Sequence, residues 1–251
     1  MLFNQYAKYY NLLYEDKNYQ EEVDYIHSLI QRFADTPVKT VLDIGCGTGE
    51  HAVFLSQLGY HVTGIDMSNE MIAIALSKNI PNTNFLVGNA MDFQLSERFD
   101  VIVSLFHVLS YQTTNEHLKE MITNGANHVC ANGLFVFDFW YGPAVLTERP
   151  SVRIKRLEDE EIKITRIAEP VLKVNENKVD VNFELLIKNK EDKKVTIIKE
   201  SHPMRYFFLP EIKLLLANAG IELLYAREWM TENEPSDSTW AVCCVGKKEK
   251  R

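Results

Sequence analysis

A glycine-rich turn, Gly45-Cys46-Gly47-Thr48-Gly49, follows a short apolar run and is preceded by an aspartate, Asp43. Glycines allow a ligand to lie directly against the backbone. Many such turns bind phosphates through backbone N–H groups at a helix N-terminus, where a fixed carboxylate would repel the anion. Asp43, together with Glu50 just after the turn, therefore favours a ligand that is positively charged near the backbone.

A second acid, Asp66, ends the next apolar run, "HVTGID". An acid at the end of the second strand is placed to accept hydrogen bonds from both hydroxyls of an adenosine ribose. Two ligands suit this order of elements. A dinucleotide prefers the spacing GxGxxG, whereas S-adenosylmethionine has no phosphate and carries an α-ammonium and a sulfonium. The spacing GxGxG and the carboxylates favour S-adenosylmethionine by charge complementarity.

The elements around this turn alternate between apolar runs and helical periodicity as far as Tyr141, which predicts a parallel sheet. From Val152 to Phe208 polar and apolar residues alternate between charged turns, which predicts an antiparallel meander of about four strands. A helix and two strands then finish the chain. We expect an α/β fold with a doubly wound, mostly parallel seven-stranded sheet, helices on both faces and a small inserted antiparallel sheet.

Three parts are predicted from this pattern. Residues 1–143 form a helical lid, continuous to about Ala34, and a Rossmann-like core that binds the cofactor. Residues 144–208 form the inserted meander, which serves the substrate or a dimer contact. Residues 209–251 complete the core sheet.

Four segments resemble, in order and spacing, the signatures of class I S-adenosylmethionine-dependent methyltransferases: "VLDIGCGTG", "VTGIDMSNEMI", "GNAMDF" and "FDVIVSLFHVLSY". The resemblance implies S-adenosylmethionine as the methyl donor and S-adenosylhomocysteine as the product. With the turn itself, it implies that the cofactor is bound by Tyr14, Tyr19, Asp43, Gly45, Cys46, Gly47, Gly49, Asp66, Met67, Asn89, Ala90, Met91, Leu105 and Phe106.

A narrower resemblance covers nearly the whole chain. The segments "YAKYYNLLYEDKNYQEEVDYI", "DFWYGP" and "ESHPMRYFFLPEIKLLLANAG" are similar to those of bacterial amino-deoxysugar N-methyltransferases, which methylate the amine of a nucleotide-linked sugar. The chain departs from that family at Tyr111, where a histidine is common, and at Ser238, where an arginine faces the sugar phosphate. Arg149, Arg153 and Arg205 are the alternatives for binding an anionic group of the substrate.

His107 and Tyr111 follow the fourth strand at the carboxyl edge of the sheet, where ligands bind in such folds. His107 is the candidate base and Tyr111 a candidate partner of the acceptor amine. Trp140, Tyr141, Arg205 and Tyr206 are the predicted substrate contacts, because aromatic rings suit a sugar or a cationic product and a guanidinium suits an anion.

The composition disfavours nucleic-acid and metal binding. A net charge of -8 disfavours nucleic acid as a partner, and the four cysteines show neither metal-ligand nor CxxC spacing. We expect no bound metal, a cytoplasmic protein without a membrane span, and possible pairing into a homodimer. Three alternatives stay open: O- or N-methylation of another small metabolite, a cofactor-binding protein without transfer activity, and a dinucleotide oxidoreductase, which the carboxylates disfavour.

Overall fold

The computed structural model describes residues 6–250, so residues 1–5 and 251 of the predicted parts lie outside the described residues. Its helices are α1 (Tyr10–Leu13), α2 (Tyr19–Phe33), α3 (Glu50–Gln57), α4 (Asn69–Ser77), α5 (Asn115–His128), α6 (Gly142–Thr147) and α7 (Leu209–Asn218), with short 3-10 turns at Tyr6–Tyr9, Val108–Tyr111 and Val174–Glu176. Its strands are β1 (Thr40–Ile44), β2 (His61–Asp66), β3 (Thr83–Val87), β4 (Phe99–Ser104), β5 (Val129–Tyr141), β6 (Arg153–Glu158), β7 (Ile162–Lys173), β8 (Lys178–Asn189), β9 (Val195–Phe207), β10 (Ile221–Glu228) and β11 (Ala241–Lys248).

The main sheet has the strand order β3-β2-β1-β4-β5-β11-β10. Strands β1 to β5 are parallel, whereas β11 runs antiparallel to both β5 and β10. This order confirms the predicted fold class. Because the parallel strands point the same way, their carboxyl ends bring the glycine turn, Asp66 and the segment after β4 to one edge of the sheet.

Helices cover both faces of this sheet. On one face Val41 and Cys243 pack with residues of α2 and α3, and on the other Leu42 and Cys244 pack with residues of α5 and α7. Successive strand residues point to opposite faces, so a run that is buried on both sides must be apolar at every position. All four cysteines are free thiols, as their spacing predicts.

The insert is an antiparallel sheet in the order β9-β8-β7-β6, which confirms the predicted meander. It joins the main sheet where Trp140 and Tyr141 of β5 pair in parallel with Tyr206 and Phe207 of β9. One face of the insert packs on Leu13 of α1 through residues such as Leu185. The insert and the N-terminal segment therefore stand together over the carboxyl edge of the main sheet.

The N-terminal segment differs from the prediction of one helix running to Ala34. The chain turns between α1 and α2, and the side chain of Asn18 accepts a hydrogen bond from the backbone N–H of Glu21, 3.1 Å away. Asparagine is a strong helix N-cap because its side chain satisfies an otherwise unpaired N–H group. The break lets Tyr14 and Tyr19 both face the same cavity.

Within residues 6–250, each helix is too short or too polar to cross a membrane. Among the same residues, no group of three or more histidine, cysteine and acidic side chains is placed to bind a metal ion.

Candidate active site

A cavity of about 490 Å³ lies between the carboxyl edge of the main sheet, the N-terminal segment and the insert. Most of the predicted site residues line it together: Tyr14, Tyr19, Gly45, Cys46, Gly47, Asp66, Met67, Asn89, Ala90, Leu105, Phe106, His107, Tyr111 and Trp140. The topology thus brings together residues that are up to 126 positions apart in the sequence, from Tyr14 to Trp140.

The glycine turn forms the floor of the cavity. The N–H groups of Gly45 and Cys46 both donate to the carbonyl oxygen of Ile65, at 2.8 and 3.0 Å, which fixes the turn to the end of β2. Gly47 has a left-handed φ of 54°, and a Cβ added there would meet no atom within 4 Å. The backbone at Gly47 is therefore open to a ligand.

Asp66 accepts hydrogen bonds from both the glycine turn and the segment that follows β2. One carboxylate oxygen accepts a hydrogen bond from Gly47 N at 3.0 Å, and the other accepts from Ser68 N at 2.9 Å. Burial raises the pKa of Asp66, and these backbone N–H groups act against that rise. Each oxygen has a second lone pair, so the carboxylate can still accept hydrogen bonds from a diol in the cavity.

Asp43 lies beneath the turn instead of lining the cavity. Its side chain is 1% exposed, and its Oδ2 atom is buried without a hydrogen-bond partner. Burial raises the pKa of Asp43 to about 6; His51 lowers it and Asp66 adds to the rise. An unpaired buried carboxylate of this kind is stabilised by a nearby cation.

The N-terminal segment covers the floor. Asn11 accepts a hydrogen bond from the hydroxyl of Thr48 at 2.8 Å, and Tyr14 packs edge-on against Phe106, with ring centroids 5.1 Å apart. The amino group of Lys17 lies 4.6 Å from the centroids of both the Tyr19 and Phe106 rings. These contacts tie the segment to the turn and to the residues after β4.

The carboxylate of Glu22 links the N-terminal segment to α3. Glu22 Oε2 lies 2.8 Å from Nε2 of His51, and its other oxygen forms an ion pair with Lys17. Burial alone would raise the pKa of Glu22, but His51 and Lys17 together hold it below its ordinary value. Tyr19 packs on His51 with a centroid distance of 5.1 Å, and burial raises the pKa of its hydroxyl, which therefore stays protonated.

His107 lies at the edge of the cavity, and Asp138 of β5 holds it. Its backbone N donates to Asp138 Oδ1 at 3.0 Å, and its ring Nδ1 lies 2.6 Å from Asp138 Oδ2. Phe106 and His107 adopt left-handed φ values of 63° and 64°, which is unusual outside glycine and is often found at functional sites. The contact of the buried Nδ1 with Asp138 lacks hydrogen-bond geometry, so Asp138 holds this segment through the backbone N–H of His107.

Tyr111 meets the insert across the cavity. Its hydroxyl lies 3.0 Å from Nδ1 of His202, and Nε2 of His202 lies 3.2 Å from Glu200. Burial raises the pKa of Tyr111 and lowers that of His202, although Glu200 opposes the second shift. No role is predicted for Glu200 or His202, although alternation along β9 puts both on one face.

Two arginines line the part of the cavity that the insert forms. Arg153 begins β6, and the Arg166 guanidinium lies 5.6 and 5.4 Å from the ring centroids of Tyr14 and Phe183. Among the described residues that line the cavity, these two are the only arginines or lysines. Trp140 and Trp240, which line the same cavity from the main sheet, pack edge-on with centroids 6.3 Å apart. The cavity lining combines aromatic surface with positive charge.

Six predicted site residues do not line the cavity: Asp43, Gly49, Met91, Tyr141, Arg205 and Tyr206. Arg205 points to the face of β9 opposite His202 and binds Asn115 at 2.9 Å and Glu211. Tyr206 of β9 is buried against insert residues such as Val179 and donates to the Val174 carbonyl.

Three further residues of the six, Tyr141, Met91 and Gly49, are close in sequence to residues that line the cavity but do not line it themselves. Tyr141 follows Trp140 by one residue and packs on the other face of β5. Met91 reaches the site only through its backbone N–H, which donates to Asn89 Oδ1 at 3.1 Å. Gly49 caps α3 with a φ of 78°, and a Cβ there would lie 2.9 Å from Phe85. The roles of these six residues in binding stay predictions from the sequence.

Residues 41–133 match the model of a protein family described as a methyltransferase domain. The protein is a class I S-adenosylmethionine-dependent methyltransferase. Among curated proteins, the methyltransferase is 25% identical over 224 residues to the dTDP-3-amino-3,4,6-trideoxy-alpha-D-glucopyranose N,N-dimethyltransferase of Streptomyces venezuelae, an alignment that covers 88% of this chain and 91% of that protein.

Solved structures share the fold. An S-adenosylmethionine-dependent methyltransferase from Clostridium acetobutylicum has a TM-score of 0.83 at 19% identity, with 98% of this chain and all of that one covered. Streptomyces venezuelae DesVI has a TM-score of 0.80 at 20% identity, with 98% of each chain covered. Both likenesses extend through the insert and the C-terminal strands of the methyltransferase.

The described residues fit the cofactor of the methyltransferase. The open backbone at Gly47 and the remaining lone pairs of Asp66 suit the nucleoside, and the unpaired buried oxygen of Asp43 suits a cationic group. When bound, S-adenosylmethionine supplies an electrophilic methyl group on a sulfonium. The protein's own contribution is to align an acceptor and exclude water, which the N-terminal segment and the insert do by enclosing the cavity.

Proposed function

We propose that this methyltransferase transfers methyl groups to the amino group of a nucleotide-linked amino-deoxysugar. The observation that carries the proposal is the lining of the cavity, to which the insert contributes Arg153 and Arg166 and the main-sheet segments contribute Trp140 and Trp240. Aromatic rings suit a sugar face, and guanidinium groups suit a diphosphate. The similarity to a dTDP-amino-sugar N,N-dimethyltransferase over most of both chains supports the same substrate class.

The chain has Ser238 where the similar sugar N-methyltransferases have an arginine facing the sugar phosphate. Ser238 lies on the surface and its hydroxyl is 3.0 Å from that of Ser236, so it offers no charge to a phosphate. We infer that Arg153 and Arg166 supply the positive charge instead, in place of the Arg205 predicted from sequence. Their charge also matters because Glu50 and Asp66 line the opposite half of the cavity.

The chemical step proposed for the described residues is the removal of a proton from the acceptor nitrogen. The acceptor nitrogen needs a free lone pair, so a nearby base must remove one proton for each methyl group added. His107, whose backbone N–H donates to Asp138, is the base that the sequence predicts. Nearby aromatic rings would contact the methylated product, whose charge they can stabilise.

The test is a mass-spectrometric assay with S-adenosylmethionine and three acceptors. These are a dTDP-linked 3-amino-deoxysugar, the same free amino sugar without its nucleotide, and a carboxylated thioester as an oxygen acceptor. We expect gains of one or two methyl groups on the first acceptor and a much weaker reaction of the second. Methylation of the thioester alone would favour the O-methyltransferase alternative.

The arginines are tested in the same assay. Arg166→Met and Arg153→Met should raise KM for the nucleotide-linked sugar by about tenfold or more each, because a charged hydrogen bond to phosphate contributes about 1.5–3 kcal/mol. The KM of the free amino sugar should stay unchanged. Equal losses for both acceptors would show that the arginines do not bind the nucleotide.

A homodimer and a cytoplasmic location remain predictions from the sequence. For the dimer, exposed apolar residues of the insert, such as Ile154 and Ile197, are the surface we expect to pair. Sedimentation equilibrium of the full chain tests it, and a mass near the 29.0 kDa of one chain at micromolar concentration would exclude pairing.

A further inference from the structure

Gln112 is a polar residue of the cavity lining that follows the 3-10 turn Val108–Tyr111. The residue is only 9% exposed. Glutamine is found mostly on protein surfaces, and a buried amide is nearly always hydrogen-bonded. Within residues 6–250, however, the side-chain amide of Gln112 forms no hydrogen bond to another side chain or to the backbone. The amide is therefore left for a ligand in the cavity.

The amide of Gln112 faces the cavity and not the interior of the protein. Neither of its polar atoms is among the described side-chain atoms that are fully buried without a partner, so both reach the open space that the residue lines. Other neutral polar residues of the lining are already paired within the protein. The Thr48 hydroxyl donates to Asn11 at 2.8 Å. Asn89 Oδ1 accepts from Met91 N at 3.1 Å.

The backbone on both sides of Gln112 is fixed. Its own N–H donates to the Leu109 carbonyl at 3.0 Å, and the Ser110 hydroxyl accepts from the backbone N of Trp140 at 3.1 Å. On the other side, the hydroxyl of Thr114 accepts a backbone N–H and caps α5. A segment that is anchored at both ends presents its side chain in a defined direction, as a specific contact requires.

The chemistry of the amide identifies the kind of group that it suits. A glutamine side chain is neutral, and its Oε1 accepts hydrogen bonds while its Nε2 donates them. A sugar hydroxyl also donates and accepts, so the two groups can pair in either direction. The charged parts of the proposed acceptor have other partners, since Arg153 and Arg166 suit the diphosphate and His107 is the predicted base for the amine.

We propose that Gln112 binds a ring hydroxyl of the acceptor sugar and thereby determines which deoxysugars are methylated. The proposal rests on the amino-deoxysugar acceptor of the proposed function. A sugar without that hydroxyl leaves the amide buried and unpaired, and sites built to hydrogen-bond a substrate hydroxyl discriminate against the analogue that lacks it. The expected discrimination is about 5- to 150-fold in kcat/KM, the range for a buried polar group that loses its partner.

The experiment measures kcat/KM for three acceptors by mass spectrometry. The first is dTDP-3-amino-3,6-dideoxyglucose, whose ring hydroxyls are on carbons 2 and 4, and each of the other two lacks one of these hydroxyls. We expect the unaltered protein to disfavour one deoxy analogue by about 5- to 150-fold. Gln112→Met keeps an unbranched side chain of similar length without the amide. It should methylate that analogue and the parent sugar with nearly equal kcat/KM.

Two controls separate recognition of the hydroxyl from a general defect. Gln57→Met changes an exposed glutamine at the end of α3, outside the cavity lining, and should leave all three kcat/KM values unchanged. The KM for S-adenosylmethionine reports whether the cofactor site of Gln112→Met is intact, and Gln112→Leu provides a second variant without the amide. A structural defect lowers kcat/KM for all three acceptors by the same factor, whereas loss of the contact changes the ratio between them.

Three results separate the possibilities. A discrimination that Gln112→Met abolishes, with an unchanged KM for S-adenosylmethionine, supports the assignment of Gln112. The same ratio between acceptors in the unaltered protein and both variants, or no discrimination against either analogue, overturns the assignment and leaves the proposed function standing. An unaltered protein that methylates none of the three amines overturns the proposed function, and the assignment with it.

Discussion

Asp43 provides a stability prediction that can be worked out from the structure. Its carboxylate is 1% exposed, and burial raises its pKa from 3.8 to about 6. Asp43→Asn removes this titration while keeping nearly the same shape. The buried amide changes stability by an amount that does not depend on pH, so the comparison concerns the pH dependence and not the absolute value.

The sign follows from linkage between protonation and folding. The folded chain holds its proton up to about pH 6, whereas the unfolded chain releases it near pH 3.8. The contribution of Asp43 to the free energy of unfolding is therefore greatest below pH 3.8, declines as the pH rises to about 6 and is level above that value. Linkage gives a loss of about 1.3 kcal/mol between pH 5 and pH 7.

The assay is urea unfolding of the protein without cofactor at pH 5, 6, 7 and 8. We expect the unaltered protein to lose about 1.3 kcal/mol relative to Asp43→Asn between pH 5 and 7, and almost nothing more by pH 8. The same substitution at Asp24, an exposed residue of α2, is the control for the change of charge. A difference that stays flat across this range would refute the account of Asp43.

The raised pKa of Asp43 also makes proton release on cofactor binding depend on pH. A cation beside Asp43 lowers its pKa, so binding of S-adenosylmethionine should release about half a proton at pH 6 and almost none at pH 8. Calorimetry in two buffers of different ionisation enthalpy measures that release. Asp43→Asn should abolish it.

Three further substitutions, one of them a control, test the packing of the glycine turn and the predicted base. Gly49→Ala should lower the free energy of unfolding by about 2–4 kcal/mol, because a φ of 78° strains alanine and its Cβ would lie 2.9 Å from Phe85. Gly59→Ala, with a φ of 91° and no atom within 4 Å, should lose only about 1–2 kcal/mol, and equal losses in thermal unfolding would contradict this packing argument. Asp138→Asn should reduce kcat by about tenfold or more while leaving cofactor affinity nearly unchanged, since the carboxylate orients His107; an unchanged kcat in steady-state kinetics would leave Asp138 as a structural residue.

The main sheet could be predicted because its signals are local. Each buried strand is a short apolar run, and Ser68, a favourable N-cap residue, caps α4 by accepting from Met71 N at 3.2 Å. The predicted helical segment to Ala34 does not include the break before α2. The signal that could have revealed it is "EDKN", in which Asn18 is a good N-cap.

The half of the site on the main sheet was predicted better than the half on the insert. Residues at strand ends of a parallel sheet converge by topology, which places Asp66 and His107 without any knowledge of packing. On the insert the outcome depends on which face of each strand meets the cavity. Arg205 and His202 lie three residues apart on β9, so alternation puts them on opposite faces, and only contact with Tyr111 identifies the face that matters.

The most direct test of the account is to follow a carbon-13 methyl group from S-adenosylmethionine to a dTDP-linked amino-deoxysugar by NMR. The account predicts a labelled methyl carbon on the sugar nitrogen, with S-adenosylhomocysteine formed in equal amount. Label on an oxygen, or transfer to other metabolites and none to the amine, would contradict it.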